Sequence, residues 1–204
     1  MKTSSPPIGN TPDIAAIVRE AIERCAERAG TEAMMAFFAG YRWTEQPSGS
    51  AGLDKAIRIA VEAHEGQVDR AGKPYILPPL RVMMGMATED EKIVAALHDV
   101  PEDCPAWPLE RLRKEGFAEH ILEALDSVTK RPGETRMEAA MRATGNAIGL
   151  RVKLGDNTDN MDPSRIEQPT EKDKARMKEY AAVRVVLLAA LHEEADALEE
   201  RMRP

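Results

Sequence analysis

A heptad near the middle of the chain, Leu97-His98-Asp99-Val100-Pro101-Glu102-Asp103, combines residue types that can do chemistry on a bound ion. His98 and Asp99 supply an imidazole and a carboxylate, which are ligands for a hard or borderline divalent cation. Glu102 follows His98 by four residues, so on a helix it would share the same face. A carboxylate in that place can orient or deprotonate a metal-bound water.

Pro101 limits the geometry of this heptad, because proline donates no backbone hydrogen bond and disfavours helical geometry at the residue before it. We therefore expect the helix to end near His98 and Asp99, with Glu102 and Asp103 on the turn that follows. On this heptad alone, a helix end followed by solvated acidic residues explains the pattern equally well.

A second segment, residues 152–162, places Asp156 and Asn160 one helical turn apart, shortly after Lys153. Asp156 and Asn160 can therefore face one site. A buried carboxylate there requires a cation or another partner, because burial of an unpaired charge is costly. On this segment alone, an ordinary polar helix surface is the simpler explanation.

A third segment, residues 63–76, carries Arg70 and Lys73 on a loop with glycines that leads to Tyr75. Cationic side chains beside an aromatic ring can bind phosphates and a purine. Lys130 and Lys153 can add local positive charge. By itself this loop is more simply read as a solvated turn.

Taken together, the segments resemble the hydrolase domain of RelA/SpoT-type proteins and the small alarmone hydrolases over about residues 53–190. The family pattern runs AHxGQ, GxPYxxHP, LHDxxED, VTK and KxxDxxxNM. The matching stretches of this chain are residues 63–67, 72–79, 97–103, 128–130 and 153–161. Five ordered motifs are far more specific than one His-Asp pair.

The resemblance implies an HD-type phosphohydrolase that removes the 3′-pyrophosphate from guanosine tetraphosphate, guanosine pentaphosphate or a related nucleotide. By position, His98, Asp99 and Asp156 would bind one Mn²⁺ or another divalent ion. Glu102 and Asp103 would be the acidic pair next to the attacking water.

A nucleotide-binding set follows from the same comparison. Asn160 would face the nucleotide, and Arg70 would lie near the guanine base. The side chains expected to complete the set are Lys73, Tyr75, Lys130 and Lys153.

Pro78 departs from the family pattern, because it stands where the family has a metal-binding His. One imidazole and two carboxylates would remain, a ligand set that still occurs in catalytic sites, with weakened affinity for the ion. His64 lies on the apolar stripe of its helix and is an alternative ligand. We expect it instead to be a core histidine with a satisfied ring.

Two classes of function stay open at this point. The retained acidic and amide residues favour an active hydrolase, whereas Pro78 favours a catalytically weakened homologue that binds a nucleotide or a partner protein. A third interpretation keeps the hydrolase and changes the substrate to a 2′-phosphorylated dinucleotide or a deoxynucleoside monophosphate.

Composition limits the setting of this chemistry. The chain has 43% hydrophobic, 31% charged and 4% aromatic residues, a mixture typical of a globular helical protein. Its net charge of −7 argues against a dedicated nucleic-acid binder. Residues 1–12 are polar with no apolar run after a basic start, so we expect no signal peptide, and no stretch reaches the roughly 18 apolar residues of a membrane span. We expect a cytoplasmic protein with neither a nucleic-acid nor a membrane partner.

The elements that must position these residues are helices. Helical spacing predicts an N-terminal tail and helical extension over residues 1–50 and an all-α, HD-domain-like bundle over residues 51–204. The apolar side of a long C-terminal helix would cover this bundle, with homo-oligomerisation through that helix as the alternative. Because the chain ends after this helix, we expect no synthetase domain to follow. Helices are predicted at residues 80–86, 89–97, 109–113, 121–128, 137–141, 148–154 and 171–203.

Overall fold

Every regular element in the described part of the chain is a helix. A computed structural model describes residues 51–165 and 169–202, except for the side chains of residues 165 and 198. Within these ranges the secondary structure is helical, and the only β-type pairing is an isolated bridge between Val68 and Pro74. The all-α prediction is thereby confirmed. The predicted extension, residues 1–50, lies outside the described residues, so the domain boundary stays a prediction.

Two helices lie at the centre of the bundle. In chain order, the helices are α1 (Leu53–Ala63), α2 (Leu77–Met84), α3 (Glu89–Leu97), α4 (Val100–Asp103), α5 (Leu109–Lys114), α6 (Glu119–Val128), α7 (Arg136–Ala143), α8 (Ala147–Asn160) and α9 (Glu171–Met202), with a short 3-10 turn at Pro163–Arg165. Helix α8 packs against α2, α3, α6, α7 and α9, and α3 packs against α1, α2, α6 and α8. The residues predicted to bind a metal follow α3 or lie on α8.

Helix α3 is held in place by its cap and by burial. Thr88 Oγ1 accepts a hydrogen bond from the Glu91 amide at 3.2 Å, and Glu91 Oε2 accepts one from the Thr88 amide at 3.0 Å. Residues 93–97, the second half of this helix, are apolar on all sides and at most 4% exposed, as expected for a buried helical segment. His98, which follows directly, is therefore in the core and only 3% exposed.

Predicted boundaries near the site need correction, and one of them is the end of α8, which continues to Asn160 beyond the predicted residue 154. Helix α2 begins at Leu77, three residues before the predicted start at residue 80, because Pro78 and Pro79 are tolerated in a first turn that requires no backbone donor. Glu102 and Asp103 were expected on a turn, but they belong to the four-residue helix α4. Pro101 stands in the first turn of that helix and therefore starts it instead of preventing it.

Glycines set the position of α8 against its neighbours. A Cβ atom added at Gly149 would lie 2.0 Å from Ser127 Oγ on α6, and one added at Gly155 would lie 2.8 Å from Met86 Cε. At Gly149, where Ser127 Cβ and Val128 Cγ1 are also within 3.4 Å, only a residue without a side chain allows this approach, whereas at Gly155 the end of the Met86 side chain can move aside. This packing determines where Asp156 lies.

Helix α9 packs against α7 and α8 through one of its faces. Val183 and Leu187 form the buried centre of that face and pack with Ala140 and Leu150. Val185, also apolar, is 68% exposed, so apolar spacing alone does not identify the buried side. Although α9 is long, none of the described helices has a stretch apolar enough to span a membrane.

Candidate active site

A cleft of about 640 Å³ opens between the loop before α2, helix α4 and the helices α7, α8 and α9. Its wall contains most of the residues predicted for chemistry and nucleotide binding. Those predicted residues are Arg70, Tyr75, Asp99, Glu102, Lys130, Lys153, Asp156 and Asn160. Lys73 is exposed on the loop and is not among the lining residues.

The three predicted metal ligands lie together. His98 Nε2 is 3.2 Å from Asp99 Oδ1 and 3.7 Å from Asp156 Oδ1. The other ring nitrogen of His98, Nδ1, is 2.8 Å from the carbonyl oxygen of Ala95. A backbone carbonyl on Nδ1 orients the ring so that Nε2 faces the two carboxylates, an arrangement common for metal-binding histidines.

Charges in this cluster shift the pKa values of its members. Burial alone would lower the pKa of His98, but Asp99 and Asp156 outweigh it and raise that pKa to about 9. Burial raises the pKa of Asp99. Burial also opposes ionisation of Asp156, yet Lys153 and His98 hold the pKa of this carboxyl well below its usual range. The cluster is therefore a charged, mutually compensating group.

The donor types in this cluster fit a divalent cation, since an imidazole nitrogen and two carboxylates are available on one wall. In the structure, the His98 ring contacts the carboxylates of Asp99 and Asp156 directly. Within the described residues, no group of three or more His, Cys, Asp and Glu side chains is spaced as a metal site. Binding an ion would therefore require small movements of these side chains.

Lys153 and Asn160 both hold Asp156. Lys153 Nζ lies 3.2 Å from Asp156 Oδ2, and each side chain is 19% exposed. Burial would lower the pKa of Lys153, but Asp156 and Asp99 outweigh it and raise that pKa. Asn160 Nδ2 donates to Asp156 Oδ1 at 2.5 Å and to the Asp156 carbonyl at 3.1 Å. Both residues line the cleft, and both side chains contact Asp156, a residue predicted to bind the metal.

The acidic pair of α4 lies beside the cluster. Glu102 Oε2 accepts a hydrogen bond from the backbone amide of Lys130 at 3.0 Å. Partial burial on the cleft wall raises the pKa of Glu102. Asp103 Oδ2 accepts a hydrogen bond from the hydroxyl of Tyr75 at 2.8 Å. Glu102 thus lines the cleft. Asp103 is not among the lining residues, but it is hydrogen-bonded to Tyr75, which is.

Tyr75 and Arg70 come from the loop before α2. The Tyr75 hydroxyl also lies 3.2 Å from Asp99 Oδ2. Burial, followed by the charge of Asp99, raises the pKa of Tyr75, so the phenol keeps its proton. Arg70 is 55% exposed at the rim of the cleft, and its Nη1 lies 4.0 Å from Asp173 Oδ1.

A wall of the cleft that the motifs did not predict comes from α7 and α9. Arg176 and Tyr180, one turn apart on α9, line the cleft with Arg136 of α7. The guanidinium of Arg136 lies 5.1 Å from the centre of the Tyr180 ring. Arg176 Nη1 is buried without a hydrogen-bond partner, and its ion pair with Asp173 spans 4.0 Å. The four-residue spacing of Arg176 and Tyr180 was the available sequence signal.

Pro78 and His64 are placed differently. Pro78 lines the same cleft as Asp99 and Asp156. His64 is 3% exposed, packs on the Tyr75 ring and is not among the lining residues. Its Nδ1 lies 3.0 Å from Gln67 Oε1, while its Nε2 is buried without a partner. His64 is therefore the expected core histidine, but its ring is only half satisfied.

Comparison with known proteins supports the motif analysis. No family model matches the chain. A guanosine-3′,5′-bis(diphosphate) 3′-pyrophosphohydrolase of Haemophilus influenzae is 36% identical over 118 residues, which are 50% of this chain and 17% of the relative. The bifunctional (p)ppGpp synthase/hydrolase SpoT of Escherichia coli is 33% identical over 123 residues, 53% of this chain and 17% of that protein.

A solved structure shares the fold. It belongs to a metazoan ortholog of SpoT, described as hydrolysing ppGpp, with a TM-score of 0.56 and 22% identity over 71% of this chain and 88% of that one. The chain spans only 17% of the length of the first two curated relatives. In sequence and in fold, the helical core of this chain is thus similar to hydrolases of the RelA/SpoT type.

Proposed function

We propose that this chain is a metal-dependent hydrolase that removes the 3′-pyrophosphate from guanosine tetraphosphate or pentaphosphate. The observation that carries the proposal is the meeting of the buried His98 with Asp99 and Asp156, which line one cleft together with Glu102. The names of the relatives, which include 3′-pyrophosphohydrolases, support the choice of substrate.

His98 Nε2 and the carboxylates of Asp99 and Asp156 would hold the ion, with Mn²⁺ as the expected metal. When bound, such an ion polarises a phosphoryl oxygen and lowers the pKa of a coordinated water. Ala95 fixes the His98 ring, and Lys153 and Asn160 fix Asp156. Pro78 adds no ligand, so we expect weaker binding than a site with a second imidazole would give.

Glu102 is the residue we assign to proton transfer. Its raised pKa brings it nearer to neutral pH, where a carboxylate is a better acceptor for the proton of an attacking water. The backbone amide of Lys130 holds Oε2, and we assign Oε1 to the attacking water. Asp103 would support this pair through its contact with Tyr75.

Cations of the cleft would bind the phosphates despite the negative total charge of the chain. Lys130, Arg136 and Arg176 line the wall with Arg70 at the rim. A local group of positive side chains attracts a phosphorylated ligand whatever the net charge of the chain. A guanidinium group can also donate two parallel hydrogen bonds to two oxygens of one phosphate. We place the phosphates of the nucleotide along this wall.

We expect the protein to act in the cytoplasm on a small-molecule guanine nucleotide, without a nucleic-acid partner. The chain could also self-associate through the outer face of α9, where Val185 is 68% exposed.

Turnover of guanosine tetraphosphate by the purified full chain tests the proposal. With Mn²⁺ we expect release of GDP and pyrophosphate, and a loss of about 10²–10⁴-fold in kcat for Glu102→Gln, the usual contribution of a general acid–base. Glu110→Gln, on the exposed side of α5, is the matched control and should keep full activity.

Other outcomes distinguish the alternatives. If the chain binds the nucleotide but does not hydrolyse it in Mn²⁺, the hydrolase function is overturned and a nucleotide-binding function remains. Turnover of NADPH or of deoxynucleoside monophosphates in place of guanosine tetraphosphate would keep the hydrolase and replace its substrate.

A further inference from the structure

The hydroxyl of Tyr75 lies between two carboxylates that belong to different parts of the proposed site. It is 2.8 Å from Asp103 Oδ2 and 3.2 Å from Asp99 Oδ2. A phenol has one proton, so at any moment it donates to one of the two aspartates. Tyr75 thereby connects a proposed metal ligand with a member of the proposed acidic pair.

The backbone and ring of Tyr75 have contacts of their own, separate from those of its hydroxyl with the carboxylates. The Tyr75 amide donates to the Gln67 carbonyl at 3.0 Å, next to the bridge between Val68 and Pro74. Its ring packs on the buried His64 ring, with centroids 4.9 Å apart. Gln67 also holds His64 at 3.0 Å. The packing of the Tyr75 ring on His64 and the hydrogen bond of the Tyr75 amide thus restrict where the hydroxyl can lie.

Asp99 uses its two oxygens for two different contacts. Oδ1 faces His98 Nε2 at 3.2 Å, whereas Oδ2 faces Tyr75. A carboxylate held at one oxygen presents the other in a defined direction, and such outer contacts commonly decide how well a metal ligand binds.

We propose that Tyr75 is a positioning residue that fixes Asp99 and Asp103 relative to each other, and not a residue that stacks on the nucleotide. The inference rests on the proposed function, since it assigns Asp99 to the ion and Asp103 to the acidic pair. It replaces the sequence-based expectation that the Tyr75 ring meets the purine.

Tyr75→Phe in the full chain tests this inference, because it removes the hydroxyl and keeps the ring on His64. We expect the Kd for Mn²⁺, measured by isothermal titration calorimetry, to rise about 10–100-fold, the usual effect of losing an outer contact of a ligand. The kcat for guanosine tetraphosphate should fall while KM stays unchanged. Thr144→Val, which removes a hydroxyl that contacts the Met141 carbonyl outside the cleft, is the control and should keep the Mn²⁺ affinity and the kcat of the wild type.

A second variant tests the link to Asp103. If Tyr75 acts by holding Asp103, then Tyr75→Phe combined with Asp103→Asn should lose less kcat than the product of the two single losses, because the residues share one contact. Strictly multiplicative losses would overturn the link.

Three results separate this inference from the proposed function. A Tyr75→Phe protein with wild-type Mn²⁺ affinity and kcat would overturn the inference and leave the hydrolase standing. A raised KM with unchanged Mn²⁺ affinity would overturn it in favour of contact with the nucleotide. A wild-type chain that neither binds Mn²⁺ nor turns over guanosine tetraphosphate would overturn the proposed function itself, and the inference with it.

Discussion

Lys153→Met removes the positive charge next to Asp156 and is expected to destabilise the metal-free protein. Methionine is similar to lysine in length and in helix propensity, so α8 itself should tolerate it. What changes is the partner of a largely buried carboxylate, because each side chain of the pair is only 19% exposed.

The distance in this pair sets the size of the effect. Two unit charges at 3.2 Å attract by about 5 kcal/mol at an effective dielectric constant of about 20. Loss of one partner of a buried pair typically costs about 3–5 kcal/mol. Because some solvent reaches both groups, we expect a loss near the lower end, about 3 kcal/mol. In a domain of this size that lowers Tm by about 6–12 °C.

Thermal and urea unfolding of the purified chain without metal measure this loss. The matched control is Lys174→Met, which breaks a pair with Glu171 at the shorter distance of 2.7 Å, where the side chains are 59% and 88% exposed. Such surface pairs contribute about 0–1 kcal/mol. Added Mn²⁺ should raise the Tm of Lys153→Met more than that of the wild type, because an ion would supply the missing charge. Equal, small losses in both variants would refute the compensating role of Lys153.

Three further variants test other parts of the structure. Gly149→Ala is expected to unfold at lower urea concentration, because a Cβ 2.0 Å from Ser127 Oγ adds strain of about 1–3 kcal/mol. Ser127→Ala in the same chain should recover most of this loss, and a fully stable Gly149→Ala protein would contradict the packing. Arg142 lowers the pKa of Glu134 to about 2 from the ordinary 4.5, so this carboxylate stabilises the fold above pH 4.5 and the stabilisation disappears as pH falls through 2. Urea unfolding should therefore show wild type more stable than Glu134→Gln near neutral pH, with the gap closing in acid; a constant gap would argue against the ion pair. Pro78→His should bind Mn²⁺ more tightly in calorimetry and be at least as active, and unchanged affinity would mean that position 78 does not face the ion.

The residues that lie on short, regular stretches of helix were predictable from the sequence. Asp156 and Asn160 are four residues apart, and the structure places both on the cleft with Lys153. Helix α3 has the predicted bounds, residues 89–97. In each case the spacing of a helix is sufficient to determine which side chains share a face.

The α9 wall of the cleft was not predictable in this way. Arg176 and Tyr180 reach the cleft because Val183 and Leu187 dock α9 on α7 and α8. Helix α9 is alanine-rich and carries apolar residues on several sides, so its periodicity does not select the buried face. That choice depends on tertiary packing with distant helices.

The contacts of Tyr75 with the two aspartates were not predictable for a different reason. In the sequence it is an aromatic residue beside Arg70 and Lys73, which suggests a nucleotide contact. In the fold its hydroxyl is engaged by two aspartates 24 and 28 residues further along the chain. Local spacing carries no information about such a contact.

Anomalous diffraction from Mn²⁺-soaked crystals of the full chain tests most directly whether His98, Asp99 and Asp156 hold one ion. We predict a single strong peak per chain within coordination distance of His98 Nε2 and of a carboxylate oxygen from each aspartate, with Glu102 facing the same space. A peak elsewhere, or none at saturating Mn²⁺ while the three side chains stay in direct contact, would contradict the metal-dependent hydrolase.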